Sequence, residues 1–126
     1  MNRPVRILRL IARLNIGGPA IQAITLSSEL PRHQYQTLLV CGSLSPGEGD
    51  MTYLALEKGV HRFNIKELGR NISLLNDLKS LFIIRKIIKR FTPDILHTHT
   101  AKAGTLGRLA ALSLRASILK SKKILN

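Results

Sequence analysis

A chain of 126 residues with 44% hydrophobic content holds enough apolar material for one domain with a real core and too little for two. Twenty Lys and Arg against seven Asp and Glu give a formal net charge of +13, so an anionic partner (lipid headgroup, phosphate or nucleic acid) is expected, with no selection among them. The single Cys41 excludes a disulfide within the chain and fits a reducing compartment, and no window approaches the roughly 18 apolar residues of a spanning helix.

The basic, apolar start MNRPVRILRLIARL is broken by arginines 6, 9 and 13, which argues against a secretory signal; a cytoplasmic location follows as the expectation. Val5 to Ala12 is instead a strand, stopped by NIGGPA, Asn15 to Ala20. Ala20 to Leu30 reads as a helix with Ile21, Ile24 and Leu26 on its apolar side, ended by Pro31. Gln36 to Cys41 is a second buried strand whose exit, GSLSPGEGD, is a loop by composition. Asp50 can cap a helix from Met51 to Lys58, with Gly59 as its C-terminal stop. Val60 to Ile65 alternates apolar and polar residues and makes a third strand.

Ser73 opens a long helix to about Phe91, terminated by Thr92 and Pro93; Asp94 to His99 is a fourth strand, and Ala101 to about Leu114 a fourth helix. Four alternations of strand and helix predict an α/β fold, a Rossmann-like parallel sheet with helices on both faces. Right-handed crossovers favour the strand order 3-2-1-4, so winding reverses between strands one and four. Ligands of open α/β sheets bind at that reversal, outside the carboxyl ends of the strands. The loops meeting there are NIGGPA and HTHTAKAG.

Gly17 and Gly18 let a ligand approach the main chain near a helix N-terminus, or they form a plain tight turn; the GxGxxG spacing is absent. His97 and His99 share one face of their strand, with Thr98 and Thr100 on the other. The imidazoles can bond sugar hydroxyls or phosphate, or pack against backbone, while Lys102 and the following helix N-terminus add positive potential; Arg108 reaches either a ligand phosphate or merely solvent. A metal site needs a further ligand, and His33, His61 and Cys41 show no ligand spacing, so no metal and no cofactor is expected. Gly104 and Gly107 let the fourth helix lie close to the sheet.

The helix LLNDLKSLFIIRKIIKRF places Leu74, Leu81, Ile83, Ile84, Ile87, Ile88 and Phe91 over about half of a helical wheel, expected to face the sheet. Its other side carries Lys79, Arg85, Lys86, Lys89 and Arg90 among Leu75, Leu78 and Phe82. That mixture suits an anionic membrane surface; a solvated face of snorkelling lysines is the equal alternative. Two tyrosines, three phenylalanines and no tryptophan leave no stacking platform, which disfavours nucleic acid.

The set RILRLIARLNIGGPA, a basic amphipathic helix, then TPDILHTHTAKAGTLGRLAA resembles the N-terminal half of family 4 glycosyltransferases of GT-B architecture, bacterial polysaccharide and lipid-linked oligosaccharide enzymes especially, over about residues 5 to 115. The resemblance implies an acceptor-binding domain that closes over a nucleotide-sugar held by a second domain. It places the donor diphosphate and acceptor near Gly17 and Gly18, puts His97, His99, Thr100 and Lys102 in the cleft, and seats the basic helix on the inner membrane face. Family enzymes continue into a fifth strand bearing a catalytic histidine and a donor domain. Residues 116 to 126 then read as a basic tail or an aborted fifth strand beginning at Ile124 and Leu125. The expectation is a truncated half-enzyme, inactive alone and carrying no catalytic residue, whose near-edge fourth strand is prone to aggregate. A non-enzymatic module binding anionic membrane is the alternative.

Overall fold

The computed structural model describes residues 3–69 and 71–125, with side chains described as far as residue 115. Its elements are β1 (Val5–Ile11), α1 (Gly18–Glu29), β2 (Tyr35–Cys41), α2 (Thr52–Glu57), β3 (Arg62–Asn64), α3 (Leu74–Phe91), β4 (Ile95–His99) and α4 (Ala101–Leu125). The four strands form one parallel sheet in the order β3-β2-β1-β4, as the alternation predicts. β1 is hydrogen-bonded on both sides, with Arg9 beside Leu39 of β2 and beside His97 of β4.

The period-two alternation of β1 divides the core. Leu8 and Leu10 point toward α3 and α4, where they meet Val40, Ile84, Ala103, Leu106 and Ala110. Ile11 points the other way and joins Leu39, Cys41, Ala20, Ala23, Ile24 and Ala55 under α1 and α2. Helices therefore cover both faces, two per face. Gly107 brings α4 close to the sheet as expected: a Cβ there would lie 3.0 Å from the Thr98 methyl and 3.2 Å from Leu10.

Several boundaries differ from the sequence expectation, each for a local reason. α1 starts at Gly18 because Pro19 is tolerated in the first turn, and it buries the small stripe Ala20, Ala23, Ile24 while Ile21 stays 47% exposed. The helix thus lies close to the sheet on alanines. β3 keeps only three paired residues, Arg62–Asn64, at the edge of the sheet beside β2. α2 begins one residue later than expected; the Asp50 carboxylate accepts from the Thr52 N–H at 2.8 Å, and Gly59 stops the helix at φ 65°. α3 keeps its expected limits, with the Ser73 hydroxyl accepting from Asn76 N–H and Thr92 closing it in the left-handed region at φ 50°. α4 runs on to Leu125, so Ile124 and Leu125 are helical where a basic tail or the start of a fifth strand was expected. No glycine or proline interrupts residues 108–125, so nothing local stops the helix.

The carboxyl end of the sheet is held by one close contact. Gly42 leaves β2 where a Cβ would fall inside the carbonyl oxygens of Leu68 and Ala12, while Ser43 N–H donates to Leu68 O at 2.5 Å and Ser43 Oγ to Lys66 O at 2.8 Å. Backbone cannot yield there as a side chain would. Gly42→Ala is expected to lower the free energy of unfolding by about 3 kcal/mol in urea titrations, at the upper end of overpacking costs.

Candidate functional site

The site is built at the carboxyl ends of β1 and β4, where the order of the sheet reverses. After β1 the chain runs through Leu14, which is buried, and Asn15, which forms an antiparallel bridge with Asp50. Ile16 N–H donates to Gly49 O at 3.2 Å and Met51 N–H to Leu14 O at 2.9 Å; the Arg13 guanidinium pairs with Glu48 at 2.7 Å. The loop from Asn15 to Ala20 is thereby fixed from behind.

Its glycines are not explained by folding. Gly17 is extended at φ 168°, a conformation open to any residue, and a Cβ there would meet only Pro19 Cδ at 3.9 Å. At Gly18 a Cβ would meet nothing within 4 Å. The tight-turn reading therefore loses its support, and the space above these two residues is open. Gly17 O accepts from Ile21 N–H at 3.2 Å, so the loop leads straight into the positive end of α1.

Across from this loop, β4 ends in His97 and His99, which face the α1 side of the sheet alongside Arg9 and Ile11 of β1. The two rings lie 4.3 Å apart at 42°. His99 is 7% exposed with no hydrogen-bond partner for Nε2. Burial pulls both imidazoles below the usual histidine value, and the nearby Arg9 charge adds to this; for His99, His97 contributes as well. Thr100 follows at φ 82°, an unfavourable conformation for a β-branched residue, and its carbonyl accepts from Gly104 N–H at 3.0 Å. Backbone strain thus sits at the turn from β4 into α4.

Lys102 does not join this group as a free cation. Its Nζ donates to Gly69 O at 2.8 Å and Asn71 O at 2.7 Å and pairs with Asp77 at 2.8 Å, clamping the first turn of α4 to α3 and the loop before it. Its role in the structure is that of a tie. Arg108 is exposed on α4.

Sequence reasoning passed over Arg9, treating it as an interruption of an apolar run, yet it is 4% exposed and lies against the histidine pair. The available signal was a charged residue in phase with Ile7 and Ile11. Among the described residues, no group of three or more His, Cys, Asp or Glu is arranged to hold a metal ion. Cys41 is buried, with its thiol raised by burial and donating to Asn64 Oδ1 at 3.2 Å.

On α3, Lys79, Phe82, Lys86, Lys89 and Arg90 are exposed, whereas Arg85 is partly buried with Nε sealed and unpartnered. Leu75, Leu78 and Phe82 are 65%, 45% and 58% exposed among them. Leu74, expected to face the sheet, is 79% exposed, because it sits in the first turn beside the exposed Ile72 and outside the core cluster that Leu81 to Phe91 join. No helix among the described residues is long and apolar enough to cross a membrane.

The family model for Glycosyltransferase Family 4 matches residues 16–119. An Escherichia coli protein, UDP-Gal:alpha-D-GlcNAc-diphosphoundecaprenol alpha-1,3-galactosyltransferase, is 42% identical over 82 residues, covering 65% of this chain and 20% of that protein. The chain therefore spans about a fifth of the length of this curated relative. The crystal structure of Acinetobacter baumannii MurG is similar in fold, with a TM-score of 0.64 at 18% identity over 88% of this chain and 33% of that one.

The depressed imidazoles set a pH dependence. The unfolded chain binds a proton at each histidine near the ordinary value of 6.5 while the folded chain resists it, so stability is full above that value and falls as pH drops below it. The urea midpoint is expected to decline between pH 7 and pH 5.5, and the decline to flatten in the His97→Asn/His99→Asn variant. An unchanged slope in that variant would contradict the assignment.

Proposed function

The chain belongs to glycosyltransferase family 4, and from that premise we propose that it forms the acceptor side of a transferase that moves a sugar from a nucleotide-sugar to a lipid-linked acceptor. The observation that carries this reading is the glycine pair Gly17–Gly18, at which an added Cβ would meet open space, in the loop after β1 at the reversal of the sheet where the neighbouring β4 ends in His99. There, main-chain N–H groups at the start of α1 and the imidazoles of β4 can hold hydroxyl and phosphoryl oxygens of a diphosphate-linked sugar. The name of the E. coli relative, which contains both a UDP-sugar and a diphosphoundecaprenol acceptor, supports the same classes of ligand here.

Positioning is the contribution assigned to these residues. Transfer requires donor and acceptor to be fixed side by side, and a fixed acceptor removes much of the entropic barrier. No residue of this chain is given a proton-transfer role.

The exposed side of α3 suits a peripheral seat on an anionic membrane, on its cytoplasmic face. Leu74, Leu75 and Leu78 lie exposed in its first half with Lys79, and Lys86, Lys89 and Arg90 in its second, so basic residues are interleaved with apolar ones and concentrate toward the C-terminal half. A lipid-linked acceptor would then be met at the surface where it resides. The same feature supports the alternative of a membrane-binding module without transferase function.

Two measurements separate these readings. Gly18→Val is expected to weaken binding of a prenyl-diphosphate-linked N-acetylglucosamine about tenfold or more, with the melting temperature unchanged. Equal affinity in that variant would remove the acceptor assignment. Lys86→Glu/Lys89→Glu is expected to abolish co-flotation with vesicles containing acidic lipid while leaving binding of a detergent-solubilised acceptor intact; retained flotation would contradict the membrane seat.

A further inference from the structure

Arg9 is the least comfortable residue in the core. It lies on the middle strand of the sheet, in phase with Ile7 and Ile11, and is 4% exposed. Its Nε and Nη1 are sealed from solvent without an acceptor. A guanidinium cannot escape the cost of burial by losing its proton, so an unneutralised one is retained against stability. Burial is the one influence on its proton affinity; no carboxylate is close enough to oppose it.

The acidic residues of the chain are committed elsewhere or stand apart. Glu48 pairs with Arg13, Asp77 with Lys102 and Asp94 with Arg3, while the Asp50 carboxylate accepts from Thr52 N–H. Glu29, Glu57 and Glu67 are not hydrogen-bonded to Arg9 in the described residues. No partner for Arg9 is found among the described residues.

His99 repeats the pattern on the next strand, 7% exposed with an unpartnered Nε2. His97 stands directly beside Arg9 in the strand register and stacks against His99 at 4.3 Å. One guanidinium and two imidazoles thus converge on the α1 side of β1 and β4. α1 packs on β1 and β2 over the same face.

We propose that Arg9, His97 and His99 form a subsite for one phosphoryl oxyanion, into which a phosphate of the substrate diphosphate fits. Arg9 and His99 carry sealed nitrogens without a partner among the described residues, and His97 stands beside both; a tetrahedral oxyanion satisfies such a set. The subsite itself rests on the residues of β1 and β4; its assignment to a substrate diphosphate rests on the function proposed above.

The test follows the imidazole resonances of His97 and His99 by NMR while inorganic phosphate is added at constant ionic strength and pH. Saturable shifts at both residues are expected in the wild-type chain and in Arg3→Met, which removes a distant exposed arginine. Arg9→Met is expected to weaken the saturation about tenfold or more and, without phosphate, to raise the melting temperature, because an unpaired buried charge is gone. If Arg9→Met does not fold, His99→Asn reads the same loss from the neighbouring strand. Adding UDP in one arm and farnesyl diphosphate in another tells which source supplies the phosphate, since the tighter one displaces inorganic phosphate at lower concentration. Absence of saturable shifts, or equal affinity in Arg9→Met and wild type, overturns the subsite. Because phosphate is read directly, failure here leaves acceptor binding through Gly18 standing, and failure there leaves this subsite standing.

Discussion

Everything in this molecule depends on β1 being paired on both sides. With β2 on one flank and β4 on the other, all parallel, the chain must wind first in one direction and then in the other. That reversal forces the loop after β1 and the loop after β4 to diverge to opposite faces, and it leaves a crevice between them at the carboxyl ends. The alternation of Leu8 and Leu10 against Ile11 then builds one core under α3 and α4 and a second under α1 and α2. Arg9 is the exception within that strand, a charge placed where the pattern calls for an apolar side chain.

Position in the crevice explains the residue types around it. Gly17 and Gly18 supply free space instead of a turn that only glycine can make. The histidines stay neutral more readily than usual because burial and Arg9 both oppose protonation, which makes them donors or acceptors of hydrogen bonds at neutral pH rather than fixed charges. Thr100 stores strain at the same edge. Lys102 shows the opposite case: a cation near a site whose charge is already used, by two carbonyls and Asp77, to hold α3 and α4 together.

The fold was largely legible because its signals are local and repeated. Apolar runs bounded by NIGGPA, by Pro31 and by Pro93 gave the elements, and the alternation gave the strand order. Less was legible where packing rather than pattern decides. The burial of Ala20 and Ala23 instead of Ile21 and the exposure of Leu74 follow from which surfaces find a neighbour, and periodicity does not contain that information. In the candidate site, spacing and alternation sufficed to place the glycine loop and the histidine pair at the carboxyl ends of neighbouring strands. Arg9 could not be named in this way, since its meaning comes from the register that sets it beside His97. Lys102 was misplaced for the complementary reason, that its three acceptors come from residues 69, 71 and 77, a distant stretch of chain.

The central claim, that this chain presents the acceptor side of a family 4 glycosyltransferase at the reversal of its sheet, is tested most directly by backbone amide shift mapping with a prenyl-diphosphate-linked N-acetylglucosamine in detergent. The account predicts the largest perturbations at Gly17, Gly18, His99 and Thr100, continuous from one loop to the other across β1 and β4. Perturbations confined to α3, or indistinguishable from those caused by detergent alone, would contradict it.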